Sequence, residues 1–266
     1  MPKLNSAPIS EKDLGEYLAS ESDFAFEMKV LSLLRKLEFT CSHAGTYEDP
    51  ITQKIRQYDL RAQKVRGNFK LVLAVECKNL RPNFPLLVSA VPRTADEAFH
   101  EIIVFRAAPI SAMLNVDHVD RGQSKYRLGE MVGKRTDQVG RAHNSELFSD
   151  DGATFDKMSQ AINSSKDLFI ETAWESTHPF LRMVVPVLVV PADVLWQVDY
   201  NHDGNITKHP YHVDEATLFI DHLWSALVGM NNLNYRISHL HIVTLSYLEE
   251  AIELWMGPKG FFSTTN

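Results

Sequence analysis

The sequence predicts an α/β protein, a mixed central sheet flanked by helices, and three observations predict it. A helical apolar stripe begins near residue 24. Two β-like runs joined by Gly67-Asn68 follow it. A long helical pattern over 154–176 then leads into an apolar run at 182–190. Strands alternating with helical segments of this length are the pattern of α/β folds. A single domain over 1–266 is expected, with its core at about 20–92 and 153–192, an insertion at about 93–152 and a β-rich C-terminal extension at about 193–266.

Taken in order, Ser20 to Asp23 reads as a capping box with Asp in place of Glu. Phe24, Leu31 and Leu34 mark the apolar stripe, with Phe26, Val30, Leu33 and Leu37 beside it. Glu27 lies inside that stripe, and a carboxylate facing a core needs a partner or a metal. The run Arg56-Gln-Tyr-Asp-Leu-Arg-Ala62 alternates, with Tyr58, Leu60 and Ala62 on one face and Gln57, Asp59 and Arg61 on the other. Asp59 is thereby expected near the middle of a strand, where Asp is disfavoured. Gly67-Asn68 is a turn signal that makes this strand and the next a hairpin.

The second strand of the pair, Lys70-Leu-Val-Leu-Ala-Val-Glu76-Cys77-Lys78-Asn79, carries the most chemistry. Its apolar run ends in two charges two positions apart. Side chains alternate along a strand, so Glu76 and Lys78 are expected to project together and Cys77 to pack on the core side. A buried strand has no structural need for a carboxylate and an ammonium at its exit. A site that holds a divalent metal against a phosphate uses both, the carboxylate as a hard oxygen ligand and the lysine against developing charge.

Beyond a break at Arg81-Pro-Asn-Phe-Pro85, Leu86 to Val91 and Glu101 to Phe105 read as strands. The helix over 154–176 offers Phe155, Met158, Ile162, Leu168, Phe169 and Ala173 to the core. In the strand 182–190, Pro186 suggests a bulge or a sheet edge. Residues 199–206 mimic the start of an EF-hand loop, but Pro210 stands where the bidentate Glu belongs, so Asp203-Gly204-Asn205 is expected as a hairpin turn. Strands follow near 217–220 and 235–243, then a helix through Trp255. His239 and His241 share a strand face without a third metal ligand in view and read as a packed or surface pair.

Composition bounds the class. Hydrophobic residues make up 44% and charged residues 23%, ordinary for a globular protein. Two cysteines, Cys41 and Cys77, and an N-terminus without an apolar signal core lead to the expectation of a cytoplasmic protein. No apolar run reaches membrane-spanning length. A net charge of -7 argues against a general nucleic-acid coat, but not against a nuclease with clustered cations. Lys54, Arg56, Arg61, Lys64, Arg66 and Lys70 form one basic cluster, and Arg121, Lys125, Arg127, Lys134, Arg135 and Arg141 a second. Phosphate contact and a solvated charged face both account for them. No Walker loop, dinucleotide fingerprint, Gly-x-Ser-x-Gly elbow or paired Cys-x-x-Cys is present, which removes the commonest ATPase, dehydrogenase, hydrolase and zinc-ribbon readings.

The order helix with Glu27, strand, strand with Asp59, strand with Glu76-x-Lys78 resembles the PD-(D/E)xK nuclease superfamily, which implies a restriction-endonuclease-like fold. The likeness covers roughly residues 20–92. Tyr58 stands where the superfamily's name has proline. The resemblance implies a Mg²⁺-dependent nuclease, with Mn²⁺ as substitute, hydrolysing DNA. It implies Asp59, Glu76 and the Cys77 backbone carbonyl as metal ligands, Glu27 on a second metal or its water, and Lys78 orienting the attacking water. Arg56, Lys64 and Arg81 are the expected nucleic-acid contacts, no membrane partner is expected, and a homodimer is an open alternative. The other reading kept is a non-catalytic nuclease-like fold that binds DNA or protein.

Overall fold

The computed structural model of the chain describes residues 7–20, 22–107, 112–120, 122–142, 144–175, 181–228 and 231–262. Helices α1 (Glu11–Ser20) and α2 (Phe24–Lys36) come first, then short strands β1 (Thr40–His43), β2 (Thr46–Glu48) and β3 (Ile55–Gln57). The hairpin β4 (Leu60–Arg66) and β5 (Phe69–Cys77) follows, then β6 (Leu86–Pro92), β7 (His100–Ala107), β8 (Ala112–Val119), β9 (Met131–Arg141) and β10 (Leu147–Ser149). Helix α3 (Gly152–Trp174) leads to β11 (Leu181–Val190), β12 (Leu195–Tyr200), β13 (Ile206–His212), β14 (Glu215–Val228), β15 (Asn231–Thr244) and α4 (Leu248–Met256).

Thirteen strands form one mixed sheet with the path β1-β4-β5-β11-β15-β14-β9-β6-β12-β13, while β2 and β3 pair separately. Parallel pairing of β5 with β11 and of β11 with β15 makes the centre, and antiparallel hairpins surround it. Alternation on β5 then builds two cores. Leu71, Leu73, Val75 and Cys77 pack with α2 and α4, and Val72 and Ala74 with α3 on the opposite face. The result is a sheet with helices on both sides.

Several expectations change here. The segments 93–152 and 193–266 are not appended to a finished core. Strand β9 lies between β6 and β14, and β15 pairs with the central β11. Sequence order hid this, because strands distant in the chain are neighbours in the sheet. The alternating run 56–62 divides: β3 pairs with β2, β4 starts at Leu60, and Asp59 occupies the bend between them. Ser20 ends α1, and Asp23 precedes α2 without a side-chain cap bond. Phe24 and Phe155, both expected at the core, are exposed. Cys41 and Cys77 are free thiols.

Pro186 sits neither at an edge nor in a bulge: it pairs in register with Ala74 inside the central β11. On the other side of β11, β7 pairs only with Leu181 and Arg182, and β15 begins at Val187. Between them the Tyr235 hydroxyl bonds the Val184 backbone N–H and carbonyl. Backbone parity points the missing proline N–H into this gap, so no ladder bond is lost. Pro186→Val is therefore expected to cost only about 0.4–1 kcal/mol, through the freer unfolded chain. A denaturation curve showing a much larger loss would place a strained ladder at this position.

Candidate active site

Two carboxylates meet at the exit of β5. The Cys77 N–H donates to Asp59 Oδ2 at 2.8 Å, and the Asp59 N–H donates to Glu76 Oε1 at 3.3 Å. The antiparallel β4–β5 register, with Leu60 opposite Val75, places these residues side by side. Lys157 of α3 completes the group. Its ammonium donates to Asp59 Oδ1 and Oδ2 at 2.7 and 2.6 Å and to Glu76 Oε2 at 3.1 Å. Burial pushes the Glu76 carboxyl well above the ordinary range, the Asp59 charge adds to the rise, and Lys157 opposes it. Burial disfavours the Lys157 ammonium, but Glu76 and Asp59 outweigh that effect and hold it protonated.

Glu27 projects from α2 and pairs with His43 Nε2 at 3.1 Å. Its carboxyl is raised by burial and by the charge of Asp59, with the His43 bond opposing. The stripe position thus has the partner it required, and Glu27 lies close enough to the cluster to feel Asp59. Lys78 does not join. Strand β5 ends at Cys77, so alternation no longer governs the next residue. The Lys78 ammonium donates to Asp23 Oδ2 at 3.0 Å, and the Asn79 N–H to Asp23 Oδ1 at 2.8 Å, which ties the strand exit to the start of α2.

The expected phosphate contacts are mostly engaged within the protein. Arg56 pairs with Asp49, and Lys64 donates to the Leu37 carbonyl past the end of α2. Arg61, Arg66 and Lys70 are also paired with acids. In the second cluster Lys125, Lys134 and Arg135 face Glu215, Glu97 and Asp137, and Arg121 lies outside the described residues. Arg81 lines a cleft with Lys78 and Arg141. His241 is bonded to Glu215 and Tyr126, and His239 stacks on Tyr126. The Asp203-Gly204 segment forms the β12–β13 turn, with the Asn201 side chain accepting from the Asp203 and Asn205 N–H groups.

Lys157 was missed in the sequence, although its signal was present. Thr154, Met158, Ala161 and Ser165 are buried along one stripe of α3, and Lys157 falls inside it at helical spacing. This is the same pattern that singled out Glu27.

Among the described residues no group of three His, Cys, Asp or Glu side chains is placed to hold a metal ion. Mg²⁺ nevertheless takes few protein ligands and keeps several waters. Asp59 and Glu76 supply two hard oxygen donors converging on the Lys157 ammonium. That donor set fits a hard divalent cation once Lys157 yields its bonds. Comparison of the chain with family models, with curated proteins and with solved structures found no match. Among the described residues no helix is long and apolar enough to cross a membrane.

Proposed function

We propose that the cluster of Asp59, Glu76 and Lys157 is the centre of a metal-dependent phosphodiesterase acting on nucleic acid, with DNA as the expected substrate. The observation that carries this reading is the convergence of Asp59 and Glu76 oxygens on one ammonium. Asp59 and Glu76 would hold Mg²⁺ or Mn²⁺, with the Cys77 carbonyl and Glu27 as the further oxygen donors of the proposed site. When bound, the ion supplies Lewis-acid stabilisation of the phosphoryl oxygens and a more acidic water. Lys157 stays charged, so it donates hydrogen bonds to the phosphate rather than accepting a proton. Lys78 is the second ammonium at the site, available if it leaves Asp23.

A cleavage assay on plasmid, linear duplex and single-stranded DNA tests this. Activity should require Mg²⁺ or Mn²⁺ and stop with EDTA. Asp59→Ala and Glu76→Ala should each lose on the order of 10²–10³-fold or more, the scale of removing one preorganised electrostatic group. Glu27→Ala should be milder and partly restored by more metal. Between Lys157→Ala and Lys78→Ala, the variant with the larger rate loss identifies the working lysine. Cleavage that survives both carboxylate changes would sink the proposal.

One observation favours a second reading. The Lys157 ammonium already satisfies both carboxylates, as an ion would. A non-catalytic binding module built on the same fold would keep this arrangement for stability alone. Absence of cleavage in the wild-type protein with either metal would favour it.

A further inference from the structure

Beside the cluster a cleft of about 400 Å³ opens between the exit of β5 and the β9–β10 hairpin. Lys78 lines it from one side and Ala153 of α3 from another. Ala153 lies four residues before Lys157, on the same helix face, so the cleft adjoins the carboxylate–lysine cluster. The volume falls within the range of about 300–1,000 Å³ typical of small-molecule sites.

Its wall has an unusual composition for a solvent-facing groove. Phe84 and Phe148 lie with ring centroids 5.4 Å apart and planes 30° apart. Phe148 is 45% exposed, on the short strand β10, which among the described residues pairs with β9 alone. Gly140 of β9 sits behind both rings. A Cβ there would come within 2.7 Å of Phe84 Cδ2 and 3.0 Å of Phe148 Cζ. Any other residue would push the rings out of place. Around this aromatic surface stand Lys78, bonded to Asp23, then Arg81, and Arg141, which donates to the Ser145 carbonyl.

Aromatic faces interleaved with cations recognise single strands, because an unpaired base offers a free π-face and its backbone offers phosphate. A paired base keeps both faces inside the duplex stack. We propose that this cleft binds an unpaired nucleotide, its base on Phe148 and its phosphates toward Lys78, Arg81 and Arg141. The substrate class of the neighbouring cluster is then single-stranded or locally unpaired nucleic acid. The placement of the cut rests on the phosphodiesterase reading, whereas the binding does not.

Fluorescence anisotropy in EDTA separates the two, since no turnover occurs. The probes are labelled oligodeoxythymidine, oligouridine, an abasic strand of equal length and a blunt duplex. Wild-type protein should bind oligodeoxythymidine or oligouridine about tenfold more tightly than the abasic strand or the duplex. The comparison of the first two probes tells DNA from RNA. Phe148→Ala should lose that preference, and Phe148→Trp should keep it. Phe148→Leu, which retains apolar volume without a ring face, replaces the alanine variant if that one melts early. Arg141→Ala should weaken every phosphate-bearing probe and lower the salt slope by about one.

Equal affinity for the duplex or the abasic strand, or an unaltered preference in the variants that lack the ring, overturns the proposal. Ring-dependent binding without any cleavage would leave the cleft assignment standing and remove the phosphodiesterase. Metal-dependent cleavage without ring-dependent binding would do the reverse.

Discussion

Lys157→Met is expected to destabilise the protein by about 3 kcal/mol, the lower end of the range for stripping a partner from a buried charge. The Lys157 ammonium bonds three carboxylate oxygens, and the Glu76 side chain it leaves behind is 1% exposed. Lys157 retains some contact with water, which keeps the cost from the upper end. The deficit should depend on pH. The folded protein raises the Glu76 carboxyl above its unfolded value, so its contribution favours folding at low pH and declines as pH rises through the folded value. Without Lys157 the carboxyl rises further, and the decline should extend to higher pH. Denaturant melts of both proteins across the acid-to-alkaline range read this directly. Divalent cations add a second arm. If Mg²⁺ or Ca²⁺ raises the midpoint of Lys157→Met more than that of wild type, the ion and the ammonium compete for the same oxygens. A variant as stable as wild type at every pH would mean the cluster is more hydrated than its burial implies.

Mild acid should weaken the fold through its buried histidines, partly offset by Glu76, whose raised carboxyl favours folding as pH falls. His100 accepts or donates at both ring nitrogens, to Ser124 at 2.8 Å and to the Phe261 carbonyl at 2.9 Å. His241 is held between Glu215 and the Tyr126 hydroxyl, each at 2.7 Å. Burial drives both imidazoles down to about 4, and pushes His239 well below its ordinary value. These are depressed folded values, so the stability they provide is fully present above about pH 6.5 and drains away as pH falls toward about 4. By about pH 5, His100 and His241 should each have surrendered about 2 kcal/mol. Glu215, held down at about 2 against burial by the His241 bond and by Lys125, titrates in a lower window and does not blur this one. His100→Gln should flatten the pH dependence of the denaturation midpoint by about one proton's worth. A midpoint unchanged between neutrality and about pH 5 would show that these imidazoles protonate without leaving the fold.

Periodicity made much of this architecture readable in advance. The stripe of α2, the β4–β5 turn at Gly67, the strands β6 and β11, and the long α3 all follow from local pattern. Adjacency did not. Nothing in the residues 231–244 announces that they pair with β11, because partner choice is set by packing across the whole sheet. The site shows the same division. Asp59 and Glu76 were legible as chemistry, since a carboxylate at the exit of an apolar strand is costly without a use. Lys78 followed a strand rule past the end of the strand. Arg56 and Lys64 were read as free cations from a clustering that the folded chain spends on Asp49 and on the Leu37 carbonyl. Lys157 escaped because its helix was read for apolar contacts alone, although a charge within the buried stripe is the same anomaly as Glu27.

Strand β11 emerges in synthesis well before β15, and between them the chain must produce β12, β13 and β14. For that interval Met183 to Val190 is an apolar, β-branched ribbon with one side unpaired, the profile of a segment that recruits other chains. Pro186 divides that ribbon and removes a donor from its open side. The residue that costs the finished sheet nothing thus acts as a gatekeeper for the unfinished one. Light scattering during refolding of Pro186→Val, rising above wild type by more than its small loss of native stability explains, would register the protection it gives.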